Sequence, residues 1–263
     1  MTERTQFLVL SSGYENNLGV ESYQQYKSRY PRTSNEHYQT ALTRVGNALK
    51  NVAEQDDFAW EFNVLECKQE NAFCLPGGKV AVYSGLMPEF KNEAELACVV
   101  AHEVGHAIAR HGGERMSWNY LTTIGSFGIS RCLENATVDD IYALGSEYGV
   151  MLPFSRKHEY EADLIGMYLM AKAGYDPQAA IQFWTHFAKT QSSFITAMQS
   201  THPCDQDRIS HLSEHLEEAR KLYRECKTKK GFGETLRHTG ATATPAPQGT
   251  EQPKSEPVFD ISI

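Results

Sequence analysis

A chain of 263 residues, 41% of them hydrophobic, is long enough to bury a full core in one domain or two small ones. Its net charge of −8, with no basic cluster to track a phosphate backbone, argues against nucleic acid as a partner. No apolar run approaches the roughly 18 residues needed to cross a bilayer, and six cysteines without a CxxC pair leave the redox compartment open.

Near the start, QFLVL is too short for a signal-peptide core and has no small-residue cleavage site behind it. Residues 14 to 30 read as a short helix ending before Pro31. A longer helix is predicted from Ser34, its cap, to about Gln55, with Tyr38, Leu42, Val45, Leu49 and Val52 as its apolar stripe. From Trp60 the period changes to two: Trp60, Phe62 and Val64 alternate with Glu61 and Asn63. Then Ala72–Leu75 and Lys79–Tyr83 flank Pro76-Gly77-Gly78. This pattern predicts a small antiparallel sheet with a tight turn. Its edge strand is either a peptide-binding edge, open to strand addition, or a plain structural hairpin.

Asn92 to His111 (NEAELACVVAHEVGHAIARH) reads as one helix, opened by a capping box of Asn92 and Glu95. Leu96, Val99, Val100, Val104 and Ile108 recur at helical spacing and face the core. Cys98 on the same helix reads as a small buried hydrophobe. The helix carries HEVGH, a match to the zinc-protease pattern HExxH. His102 and His106, four apart, stand one above the other and can hold one ion through two imidazoles. Glu103, one position round, lies beside the ion. There it can take a proton from bound water, whose pKa zinc lowers from about 16 to roughly 7.

Residues 115 to 131 then predict a buried helix or a lid over the cleft, and residues 138 to 150 another short helix. Ser155 to Ala173 is a helix capped by Ser155 and closed by Gly174. Asp176-Pro177 opens the next, to about Gln191. Thr201-His202-Pro203 is extended, and Asp205 caps a long charged helix to about Lys227. From Gly231 the composition shifts to Thr, Pro, Gly, Gln and Ser without periodicity. The expected organisation is therefore one domain, 1–230, with a disordered tail, 231–263.

Two imidazoles do not close a metal site, so a third ligand is required. Glu159 and Asp163 share a helix face with the small residues Ala162 and Gly166, while Glu161 points nearly the opposite way. The motif helix is similarly lean at Ala101, Gly105 and Ala109, so the two backbones can approach closely. Glu159 is therefore the expected ligand. Asp163 is placed to accept a hydrogen bond from a liganding histidine.

HEVGH followed some fifty residues later by EYEAD resembles metallopeptidase family 48, the gluzincins that include CAAX prenyl endopeptidases, HtpX and BepA-like proteases. The likeness extends to NAFCLPGGKVAVYSGL and STHPCDQDRI, covering about Leu18 to Leu216. It implies zinc on His102, His106 and Glu159, with Glu103 as general base and Asp163 behind the ligands. It also implies that His202 approaches the metal as a fourth ligand or donates to the oxyanion, and that Arg208 binds a substrate carbonyl or carboxylate. The chain departs from its relatives in two ways. It lacks the membrane spans of HtpX and the prenyl endopeptidases, and it lacks the helical repeats of BepA-like proteins. The expectation is a stand-alone protease domain acting on extended or misfolded polypeptide. Since many such relatives are exported lipoproteins, TERTQFLVLSS suggests a removed leader, with membrane-periphery association in the bacterial periplasm; the alternative is cytoplasmic.

Rival motifs are weaker. His211-Leu212-Ser213-Glu214-His215 matches the inverted motif HxxEH but lies on a crowded, charged helix. His111 is five residues past His106 and is not expected to be a ligand, while His37, His158, His186 and His238 read as surface. Together these readings predict a mainly helical α+β fold, with a zincin-like HExxH helix packed against a small antiparallel sheet. The function expected is that of a zinc endopeptidase holding one Zn2+ per chain. The alternative is a latent, zinc-binding, chaperone-like holder.

Overall fold

In the computed structural model, residues 4–127, 156–189, 202–231 and 236 are described. Helices α1 (Ser12–Arg29) and α2 (Glu36–Lys50) precede three strands, β1 (Glu61–Leu65), β2 (Ala72–Leu75) and β3 (Lys79–Tyr83). After a short 3-10 turn come α3 (Glu93–Ile108), α4 (His111–Phe127), α5 (Arg156–Lys172) and α6 (Gln178–Lys189). The last described helices are α7 (Gln206–Glu214) and α8 (Leu216–Glu225). The fold is α+β and mainly helical, and none of the described helices is long and apolar enough to cross a membrane.

The sheet is mixed, in the order β1-β3-β2, which corrects the antiparallel expectation. β2 and β3 do form an antiparallel hairpin, Ala72 opposite Val82 and Leu75 opposite Lys79. Their turn needs positive φ at Gly77 and Gly78, which only glycine adopts without strain. β1, however, lies parallel to β3, with Glu61 opposite Lys79. A period of two marks which side chains share a face and says nothing about strand direction. Both faces are covered. Val64, Val80 and Val82 join the core with α2 and α3, while Leu65, Phe73, Ala81 and Tyr83 pack against Tyr23 and Tyr26 of α1. All four residues of β2 are buried although it is an edge strand, which favours the structural-hairpin reading over an open peptide-binding edge.

Several helix boundaries differ from expectation. Asn35, not Ser34, caps α2, its Oδ1 accepting from the His37 and Tyr38 N–H groups; both residue types cap well and the helix starts one residue later. Asn92 caps α3 by accepting from Glu95 N–H, but the Glu95 carboxylate reaches back to Lys91 N–H instead of closing the box on Asn92. α3 ends at Ile108, and Arg110 turns left-handed (φ 55°), so His111 opens a new helix. The single helix expected from Asp205 is two, broken at His215. Gly174, at φ 94°, closes α5 as expected.

The Ser155 cap, the 138–150 helix, the distal part of the 115–131 segment and most of the tail lie outside the described residues. Leu236 is buried and its N–H donates to Lys91 O, so packing of the domain reaches past position 230.

Candidate metal centre

α3 sets His102 and His106 one turn apart, their rings edge-on and their Nε2 atoms 3.1 Å apart. α5 crosses α3 in the most extensive helix contact of the fold. A Cβ on Gly105 would stand 2.8 Å from the Ala162 carbonyl oxygen, and one on Gly166 2.8 Å from the His102 nitrogen. That close approach brings Glu159 within 3.4 Å of His106 Nε2 and 3.5 Å of His102 Nε2. His202, from the segment ahead of α7, adds Nδ1 at 3.3 Å from both His102 Nε2 and Glu159 Oε1. One donor atom from each of His102, His106, Glu159 and His202 lies within 4.8 Å of the others, and all four residues are buried.

The chemistry of this donor set fits a cation. Asp163 Oδ1 lies 2.9 Å from His102 Nδ1, and a carboxylate only accepts, so the His102 proton sits on Nδ1 and the lone pair of Nε2 faces the cluster. That nitrogen, the facing imidazoles of His106 and His202 and the Glu159 carboxylate converge on one point. A nitrogen-and-oxygen set of this kind suits zinc. Burial pulls the His102 pKa down, but Asp163 and Glu159 outweigh it and raise it to about 9, so these carboxylates favour a positive charge at the ring, which either a proton or a metal ion on Nε2 would supply. Burial would raise Glu159, yet the facing His202, His106 and His102 rings hold it well below the usual carboxylate range. Burial keeps His106 well below the ordinary histidine value.

Glu103 is buried beside the cluster, and its Oε1, 3.5 Å from His202 Nε2, finds no hydrogen-bond partner. Burial raises its pKa, only partly offset by His202 and His102, so this carboxylate is a stronger base than one in water. Arg208 lies against the cluster. Its guanidinium is buried and clamps Asp163 through Nε at 2.8 Å and Nη2 at 2.7 Å. Nη1 reaches Glu159 at 2.8 Å and donates to Pro203 O at 2.9 Å. Trp184 lies 4.7 Å beneath its guanidinium carbon and edge-on to His102. Arg208 thus braces Asp163 and Glu159, and each of its guanidinium nitrogens faces a protein acceptor here instead of an open cleft.

Three residues read as bystanders are not. Glu161, which points away from the Glu159 face, accepts from Arg4 Nε and lies 2.9 Å from His111 Nε2. His111 stands 2.8 Å from His106 Nδ1. His158, expected at the surface, is buried, stacks on His111 at 4.3 Å and meets Glu114 at 3.1 Å. The only signal for them in the sequence was a histidine shortly past the motif and a second acid in EYEAD. A continuous helix would have carried His111 away from His106, so the spacing concealed the contact. His211 and His215 stay outside the cluster, His211 stacked on Tyr160.

A buried HExxH helix, a carboxylate brought to it by a second helix and a further glutamate beside the cluster are the arrangement of the metallopeptidase class. Residues 36–216 match Peptidase family M48, and the chain belongs to that family. It is similar to the mitochondrial metalloendopeptidase OMA1 of Schizosaccharomyces pombe, 35% identical over 224 residues, which cover 83% of this chain and 66% of that protein. OMA1 of Arabidopsis thaliana is 40% identical over 172 residues, 65% of this chain and 35% of that protein. A putative beta-barrel assembly-enhancing protease of Vibrio cholerae serotype O1 is 31% identical over 210 residues, 70% of this chain and 43% of that protein. The chain thus spans between 35% and 66% of the length of these curated relatives.

Proposed function

We propose that this chain is a zinc-dependent endopeptidase with His102, His106 and Glu159 as ligands. The single observation that carries the reading is the convergence of buried donor atoms from residues 102, 106, 159 and 202 within 4.8 Å, with the Glu103 carboxylate beside them. Zinc held there would supply Lewis acidity at the scissile carbonyl and acidify the attacking water. Glu103 takes the proton from that water and later delivers it to the leaving amine, a role favoured by its raised pKa. Asp163 fixes the His102 tautomer, and Arg208 holds both Asp163 and Glu159 in register.

His202 supplies the fourth member of the cluster, and its Nε2 lies 3.5 Å from Glu103 Oε1. We assign it a gating role: seated as here, its imidazole would complete the set of residues that hold the metal; withdrawn, it would leave a position for water and substrate and could donate to the oxyanion. The substrate class that fits is an extended segment of misfolded or unassembled protein. Support comes from relatives whose names refer to endopeptidases and to assembly of β-barrels. Relatives from mitochondria and from bacteria leave two homes open, a mitochondrial compartment or the bacterial periplasm.

The seated His202 also favours a second reading, a latent zinc protein that holds unfolded chains without cutting them. Casein digestion separates the two. The enzyme reading expects proteolysis by the wild-type protein and its loss in Glu103→Gln with zinc retained. Inactivity of both the wild type and His202→Ala would favour the holder.

A further inference from the structure

We infer that His111 and Glu161 form a positioning relay for His106, setting which of its ring nitrogens is offered to the metal. The inference rests on the zinc reading above and assigns roles to two residues outside the ligand set. The left-handed turn at Arg110 folds α4 back, so that His111 Nδ1 meets His106 Nδ1 at 2.8 Å. At this distance one nitrogen donates and the other accepts.

Glu161 decides the direction. Its Oε2 lies 2.9 Å from His111 Nε2, and a carboxylate only accepts, so that nitrogen carries a proton. His111 Nδ1 is then the acceptor, and His106 donates from Nδ1. The lone pair of His106 is left on Nε2, the atom that faces His102 and Glu159. The opposite arrangement would turn a protonated Nε2 toward the cluster and abolish the ligand. Arg4 Nε donates to the same Glu161 Oε2 at 2.9 Å, and the His158 ring lies against His111 at 4.3 Å, which fixes its plane. Asp163 does the same service for His102 directly, so the two motif histidines are oriented by separate carboxylates from one helix.

Two substitutions of similar size at position 111 isolate the effect. Both His111→Leu and His111→Asn lose the ring, its stacking on His158 and its contact with Glu161. Only asparagine keeps an acceptor near the Nδ1 position. Zinc affinity, measured by competition with a chromophoric chelator, should fall about 10–100-fold in His111→Leu, the range for losing such an outer partner. His111→Asn should recover most of that loss. In zinc-loaded wild type and His111→Asn, nitrogen-resolved NMR should show a downfield, slowly exchanging His106 Nδ1 proton that His111→Leu lacks. Glu161→Gln, which keeps the volume and removes the charge, should weaken zinc binding by a smaller factor and serves as the readout if leucine prevents folding. Equal affinities in the leucine and asparagine variants, or an unchanged affinity in Glu161→Gln, would overturn the relay while leaving the zinc site intact. A wild-type protein that holds no zinc would overturn both.

Discussion

Glu159 and Glu161 are separated by one residue on the same helix and have opposite assignments. The first reaches His106 and His102, the second His111 and Arg4. Metal analysis of Glu159→Ala should therefore show zinc lost from the chain. Glu161→Ala should still hold one zinc, at weaker affinity; equal zinc loss would contradict the ligand assignment. Which glutamate faces α3 was legible from the helical repeat and the small residues beside it. What Glu161 does instead was not, because its partners come from the start of α4 and from residue 4. A pH effect belongs to the same neighbourhood. Burial would raise the Glu114 pKa, but hydrogen bonds from Arg4 and Gln6 bring it down to about 2. A carboxylate depressed on folding adds stability above its unfolded pKa, near 4.5, and that stability is lost as pH falls toward 2. Urea midpoints measured from pH 6 to 3 should drop more steeply for the wild type than for Glu114→Gln; parallel curves would remove Glu114 from the account.

At the scale of elements, the α3–α5 crossing decides the site. Gly166→Ala places a methyl group 2.8 Å from the His102 backbone nitrogen, so one helix must shift. The expected cost is about 1–3 kcal/mol, the range for overpacking a dense contact, together with weakened zinc binding as Glu159 retreats. A chemical-denaturation midpoint and a zinc titration measure the two effects; a fully stable variant with native affinity would show that the crossing tolerates separation. The irregular N-terminal segment, residues 4–10, is a second such element. Gln6 donates to Ala109 O, Val9 N–H donates to Ser117 Oγ, and Arg110 donates to Leu10 O and pairs with Glu15. These contacts clasp the turn that swings His111 back, holding Arg110 in its left-handed conformation.

For the whole molecule, metal and fold are expected to be coupled, since the proposed ligands come from α3, α5 and the segment ahead of α7. Zinc at about 1,000 times its Kd would add roughly 4 kcal/mol, enough to raise the Tm by on the order of 10 °C in a chain of this size. Chelation should remove that increment along with proteolysis, and added zinc should restore both. Glu103→Gln should keep the thermal increment and lose the proteolysis. A Tm indifferent to chelator would place the metal, if held at all, outside the folded core.

The sequence by itself determined the parts governed by short-range geometry: helices from their repeat, paired imidazoles from a spacing of four, and a close crossing from glycine and alanine on facing sides. Tertiary structure alone decided the strand direction of β1, the inward turn at Arg110, the Arg208 clamp and the burial of His111 and His158. The reason is physical. A periodic pattern records which face of an element turns inward, while the partner on that face is chosen by chain segments that can be a hundred residues away.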